Sequence, residues 1–292
     1  MSARDFDPAR PIRVRLLSPL GLLPRHPVEA RAARLIARDD LVVSAVEMKP
    51  SETHGIGLEH YSDLEFMALE EIRFLASISL AVPPADGMAY VYPLNTAFDV
   101  ERGLPDGVVL ELAHKYVERF MEQDRRRDVV LPPVAGGPPY EWREKGVNAV
   151  LVAELVRDIS LTDHLLMRGL SALLRSNMAW RHQEIAEAGQ LLLYVVLDAS
   201  FQLVLRVLRE RGLQNPSALD AGALIDEVFN PHLCTGSYFE DFYDARIKTM
   251  HPSSRFGIFP VAPLEADDFL FLRYGLIEVY HWLITKRVHA PA

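Results

Sequence analysis

The sequence predicts an α+β chain: a small N-terminal α/β region followed by a mainly α-helical C-terminal bundle. Three observations carry this. Over roughly the first hundred positions apolar residues alternate with polar ones in short runs, the period-two mark of strands. From residue 106 onward the apolar spacing lengthens to that of helices. Then "LPPVAGGPPY" (131–140) places four prolines and two glycines in ten residues, which neither a helix interior nor a central strand tolerates. The expected organisation is an N-terminal α/β region over 1–130, a Pro/Gly-rich linker over 131–146 and a helical domain over 147–292.

Within the first region, "IRVRL" (12–16) alternates apolar residues with arginine and predicts a half-buried strand. "VEARAARLIARDD" (28–40) follows Pro27, is rich in helix formers and predicts a helix. "LVVSAVEM" (41–48) predicts a strand. "IRFLASISLAV" (72–82) puts Phe74, Ala76, Ile78, Leu80 and Val82 on one side of a strand. "MAYVYPL" (88–94) predicts a shorter strand, pushed to the sheet edge by Pro93.

In the second, Val109, Leu112, Tyr116, Val117 and Phe120 recur at helical spacing behind Asp106, a good N-cap. Further helices are predicted over 147–157, 161–175, 180–211, 217–229, 237–251 and 266–287. The last opens on Asp267 and Asp268 and closes on Lys286 and Arg287, so both ends complement the helix dipole. Its middle is apolar on nearly every face, which requires deep burial or a second subunit.

Composition narrows the classes. The chain has 292 residues, 49% apolar and 24% charged, within the range of soluble globular proteins. Its longest apolar run, "LLLYVVL" (191–197), ends at Asp198, far short of the ~20 residues of a membrane span. Neither a signal-peptide stretch nor a disulfide is expected, since Cys234 is the only cysteine, and the expected location is cytoplasmic. A net charge of −9 argues against coating nucleic acid by charge alone, though not against a local basic site. Phosphate-cradling glycine loops, G-x-S-x-G and H-E-x-x-H are all absent. His54 and His60 read as loop histidines, "DRRRD" (124–128) as a solvated helix end, and Cys234 as a small inert residue. His114 and Glu111 share a helix without further company. No metal and no cofactor is expected.

Arg246 stands apart. In "YFEDFYDARIKTMH" (238–251) it falls inside the helical stripe formed by Phe239, Phe242, Tyr243 and Met250. A cation in an apolar stripe needs an anion. That anion is either an incoming phosphate or a carboxylate of the chain, and Asp198, which interrupts "LLLYVVLDASFQLVL", itself needs a cation. His251 precedes Pro252, hence closes the helix, where the dipole favours imidazolium.

Tyr243, Arg246, Lys248 and His251 form "Y-x-x-R-x-K-x-x-H" ahead of one more long helix. Over about residues 180–288 this resembles the HEPN superfamily. The resemblance implies a helical, usually dimeric domain and a metal-independent endoribonuclease. Arg246 would stabilise the developing phosphorane charge, and His251 would transfer protons at the 2′-OH or leaving 5′-oxygen. Lys248 and Tyr243 would contact the substrate phosphate. RNA is then the expected partner, and a homodimer through the C-terminal helices the expected assembly. A non-catalytic dimerisation or partner-binding module of the same fold is the alternative, and a nucleotide-binding sensor a third.

Overall fold

A computed structural model of the chain describes residues 12–17, 28–30, 33–38, 41–47, 67–81, 97–101, 103–125, 147–180, 186–229, 239, 242–243, 246 and 266–288. The chain divides into two compact units, one of residues 1–78 and 86–156, the other of 79–85 and 157–292. All strands among the described residues belong to the first unit, and the whole is a mainly helical α+β protein. The predicted linker over 131–146 and the predicted strand over 88–94 lie outside the described residues.

The first unit is built on an antiparallel sheet of β1 (Ile12–Leu17), β2 (Val28–Ala30), β3 (Ala33–Arg38), β4 (Leu41–Glu47) and β5 (Ala97–Val100), in the order β2-β3-β4-β1-β5. Register follows from burial. Val14 lies opposite Ala45 and Leu16 opposite Val43, and these four join Ile36 and Val100 in one apolar layer. Helix α2 (Asp106–Arg125) closes that layer with Val109, Leu110 and Ala113. Its start is tied to the sheet by Arg34, which lies 3.0 Å from Asp106 and donates to the Leu104 carbonyl at 3.1 Å.

Two sequence expectations are corrected here. Of residues 28–40, expected to be helical, Val28–Ala30 and Ala33–Arg38 form β2 and β3. Val28 and Ala30 are buried with Glu29 exposed between them, and β3 is held between β2 and β4. Sheet pairing on two sides overrides the helix propensity of alanine and arginine. Of residues 72–82, expected to be a strand, 72–80 lie instead in helix α1 (Leu69–Leu80). Every residue from Glu70 to Ala81 is buried, so the apolar alternation is only part of a run buried on all sides, and such a run carries no period. What marks the helix is its start: the Glu71 carboxylate accepts the Ala68 amide at 2.8 Å.

The arginines of β1 are also not solvent-facing, as a half-buried strand would have them. Arg13 and Arg15 are 4% and 3% exposed. Arg15 donates from Nε and Nη2 to the two oxygens of Glu71, at 2.6 and 3.2 Å. The sheet is therefore covered on both faces, and α1 brings the anion that makes the arginine face tolerable. The short β5, broken in pattern by its Asp99, was not expected from the sequence. Helix α3 (Ala149–Asp158) begins at Asn148, whose side chain accepts the Leu151 amide at 3.2 Å.

The second unit contains α4 (His164–Trp180), α5 (Ala186–Glu210), α6 (Ala218–Phe229) and α7 (Ala266–Thr285). Helices α4 and α5 run antiparallel: Asp163, capping α4, meets Arg206 near the end of α5, and Gly189 near its start lies against the backbone of Ser176 and Trp180. Helix α7 runs antiparallel to α4. Phe269 stacks on Trp180 at 4.0 Å, Arg273 donates to Asn177 at 2.8 Å, and Tyr280 reaches Gly169. A Cβ at Gly169 would sit 1.9 Å from the Tyr280 hydroxyl, which donates to the Val196 carbonyl of α5 at 3.1 Å. Glycine here is a notch that lets α7 bond to α5 past α4. Gly212, at φ 97°, ends α5 with the Leu213 amide on the Leu208 carbonyl, while Ser217 and Asp220 cap the start of α6 reciprocally.

Candidate functional site

Helix α5 is long and apolar enough to cross a membrane by composition, but more than half of its apolar stretch is buried within the chain, as in a core helix. Its solvent side carries Asp198. Among the described residues of the predicted helix 237–251, Phe239, Phe242, Tyr243 and Arg246 are all helical. Phe239 is buried edge-on against Phe201 of α5 at 5.2 Å. Arg246, two turns later, reaches Asp198, one turn earlier on α5 than Phe201. The two contacts therefore lay the segment antiparallel along α5, Phe239 giving apolar purchase and Arg246 an electrostatic one.

The pair is close and open. Arg246 Nη1 donates to Asp198 Oδ1 at 2.5 Å, with the arginine side chain 26% and the aspartate 51% exposed. The guanidinium carbon lies 5.1 Å from the centroid of the Tyr243 ring, which is itself about half exposed. Carboxylate and ring together hold the cation in place. Of the two anions that the sequence left open for Arg246, the structure supplies the internal one. Because Asp198 is half in water, this is a surface ion pair, and such pairs contribute only about 0–1 kcal/mol. As an anion site the arrangement has no net charge, and the Asp198 carboxylate would repel a phosphate brought to Arg246.

Of the four residues that the sequence singled out, the structure brings Tyr243 and Arg246 together, while Lys248 and His251 lie outside the described residues. His54, His60 and Cys234 lie outside them as well. His114 is exposed, and its helix neighbour Glu111 is bound by Lys115 at 2.6 Å, whose hydrogen bond and charge hold the Glu111 carboxyl below its ordinary range.

Sequence reasoning missed a second clamp on α5. Arg206 donates to Asp163 Oδ2 at 2.5 Å, and the other Asp163 oxygen accepts the Leu166 amide at 3.2 Å. Burial alone would raise the Asp163 pKa, but the Arg206 hydrogen bond, the backbone amides and the Arg206 charge outweigh it and leave the carboxyl below its ordinary range. The signal was an aspartate in N-cap position before "HLLMRGL". Its cation, 43 residues away, had no local signature. Comparison of the chain with protein-family models, curated proteins and solved structures finds no match.

Proposed function

We propose that this chain is a non-catalytic helical interaction module with a HEPN-like C-terminal part, in which Arg246 acts as a latch. The observation that carries this reading is the Arg246–Asp198 ion pair, which already occupies the cation with a carboxylate of the chain itself. Two sequence features point the same way: Ile247 follows the arginine and Pro252 follows the histidine, where active HEPN members usually carry a polar residue and a glycine. The partner in this reading is a second copy, seated on α7. Most of that helix is buried, which accounts for its apolar composition, but Leu270, Phe271 and Tyr274 remain exposed at helical spacing.

A metal-independent endoribonuclease using Arg246 and His251, with Tyr243 and Lys248 on the substrate phosphate, is the second reading. One observation favours it: Arg246 is reachable from solvent beside an exposed Tyr243, and its ion pair is weak enough to open.

The test is a set of varied RNAs incubated with the parent chain, Arg246→Ala and His251→Ala, with and without EDTA, alongside light scattering of the parent and Phe271→Asp. The module reading expects no cleavage by any of the three, and a dimer mass that Phe271→Asp returns to the monomer. Cleavage by the parent that survives EDTA and disappears in both folded variants would replace it with the nuclease. A monomer mass for the parent at tens of micromolar would remove the second copy as the partner.

A further inference from the structure

Helix α4, "HLLMRGLSALLRSNMAW", contains no acidic residue. Its solvent side carries His164, Arg168 and Arg175, all exposed, with Ser171 half-buried between the two arginines. Offsets of four, seven and eleven residues align these four side chains in one straight row, about 16 Å long. Four acids of this unit are already engaged. Asp163 holds Arg206 and caps the helix, Asp158 pairs with Arg157, Asp198 with Arg246, and Glu227 lies 3.5 Å from Arg211. Among the described residues neither Arg168 nor Arg175 has an ion-pair partner. In a chain of net charge −9, two guanidinium groups without an ion-pair partner among the described residues thus share one face of one helix.

The kind of partner follows from what this face lacks. None of the large apolar side chains that the described residues expose lies on α4. A protein interface needs a buried aromatic or aliphatic anchor at its centre. A phosphate backbone asks only for donors in a row, and the arginine fork meets a phosphate with two parallel hydrogen bonds. We infer that the solvent face of α4 is a contact surface for the phosphodiester backbone of a nucleic-acid strand, with Arg168 and Arg175 as the phosphate contacts and Ser171 and His164 as further hydrogen-bond donors beside them. The assignment stands on α4 and is independent of both readings of Arg246.

The experiment is fluorescence anisotropy of a labelled oligothymidine, a strand without the 2′-OH that a HEPN-type cleavage would need, titrated at several salt concentrations. The parent is expected to bind at low ionic strength. Arg168→Gln/Arg175→Gln should weaken binding about tenfold or more, and should flatten the dependence of log K on log salt by about 1.4, at ~0.7 per lost phosphate contact. Thermal melting of that variant should match the parent, and Lys115→Gln, which removes an exposed cation on α2, should bind as the parent does. Failure of the parent to bind, equal binding by the double variant, or loss of binding in Lys115→Gln would overturn the assignment. Displacement of the strand by polyglutamate at equal charge would overturn it in favour of an acidic protein partner.

Discussion

Arg246 and Asp198, 48 residues apart in sequence, meet at 2.5 Å on the solvent side of α5, with the aspartate about half exposed. Exposure sets the energy of this contact. Stranding a buried carboxylate costs about 3–5 kcal/mol, whereas a pair this open to water is worth about 0–1 kcal/mol. Urea denaturation of Arg246→Ala, Asp198→Ala and the double variant is expected to give a coupling of at most ~1 kcal/mol. A coupling of several kcal/mol would show that the pair is sealed from solvent.

Arg15 and Glu71 are the opposite case, both nearly inaccessible and joined by two hydrogen bonds. Arg15→Met leaves Glu71 as an unmatched buried charge, so unfolding free energy should fall by about 3–5 kcal/mol. Arg15→Met/Glu71→Gln should recover part of that loss, because the orphaned charge is gone. Equal stability of the single and double variants in urea would contradict this.

Gly169 sits in mid-helix, where alanine would ordinarily stabilise by about 1 kcal/mol. The Tyr280 hydroxyl reverses the sign, since a Cβ would lie 1.9 Å from it. Gly169→Ala is expected to cost about 1–3 kcal/mol through overpacking, and to cost less in a Tyr280→Phe background, where the nearest atom is removed. A melting temperature for Gly169→Ala at or above the parent's would show that α7 does not enter this notch.

Asp163 makes the acid limb of stability measurable. Its folded pKa is lowered, so the ionised form is the one that the fold stabilises. Its contribution is complete above the unfolded value of about 3.9 and is lost as pH falls through the lower folded value. Asp163→Asn should therefore be less stable than the parent near neutrality, and the gap should close in strong acid. A gap of constant size down to the acid limb would rule out the ion pair with Arg206 as its source.

The sequence by itself determined the mainly helical α+β class, the strands β1 and β4, the described helices from α2 onward (with the junction of α4 and α5 misplaced by five to six residues), and the need of Arg246 for an anion. These rest on local rules: apolar period, caps such as Asp163 and Ser217, and the cost of an unmatched charge. Tertiary structure alone decided the rest. It turned 28–30 and 33–38 into strands, because β3 is hydrogen-bonded on both edges, and 72–80 into a helix, because burial on every side erases the period from which a strand is read. It brought Asp198 to Arg246, and Glu71 to Arg15. Each of these depends on which distant segments pack together, and an ion pair across dozens of residues leaves no spacing in the sequence from which it can be read.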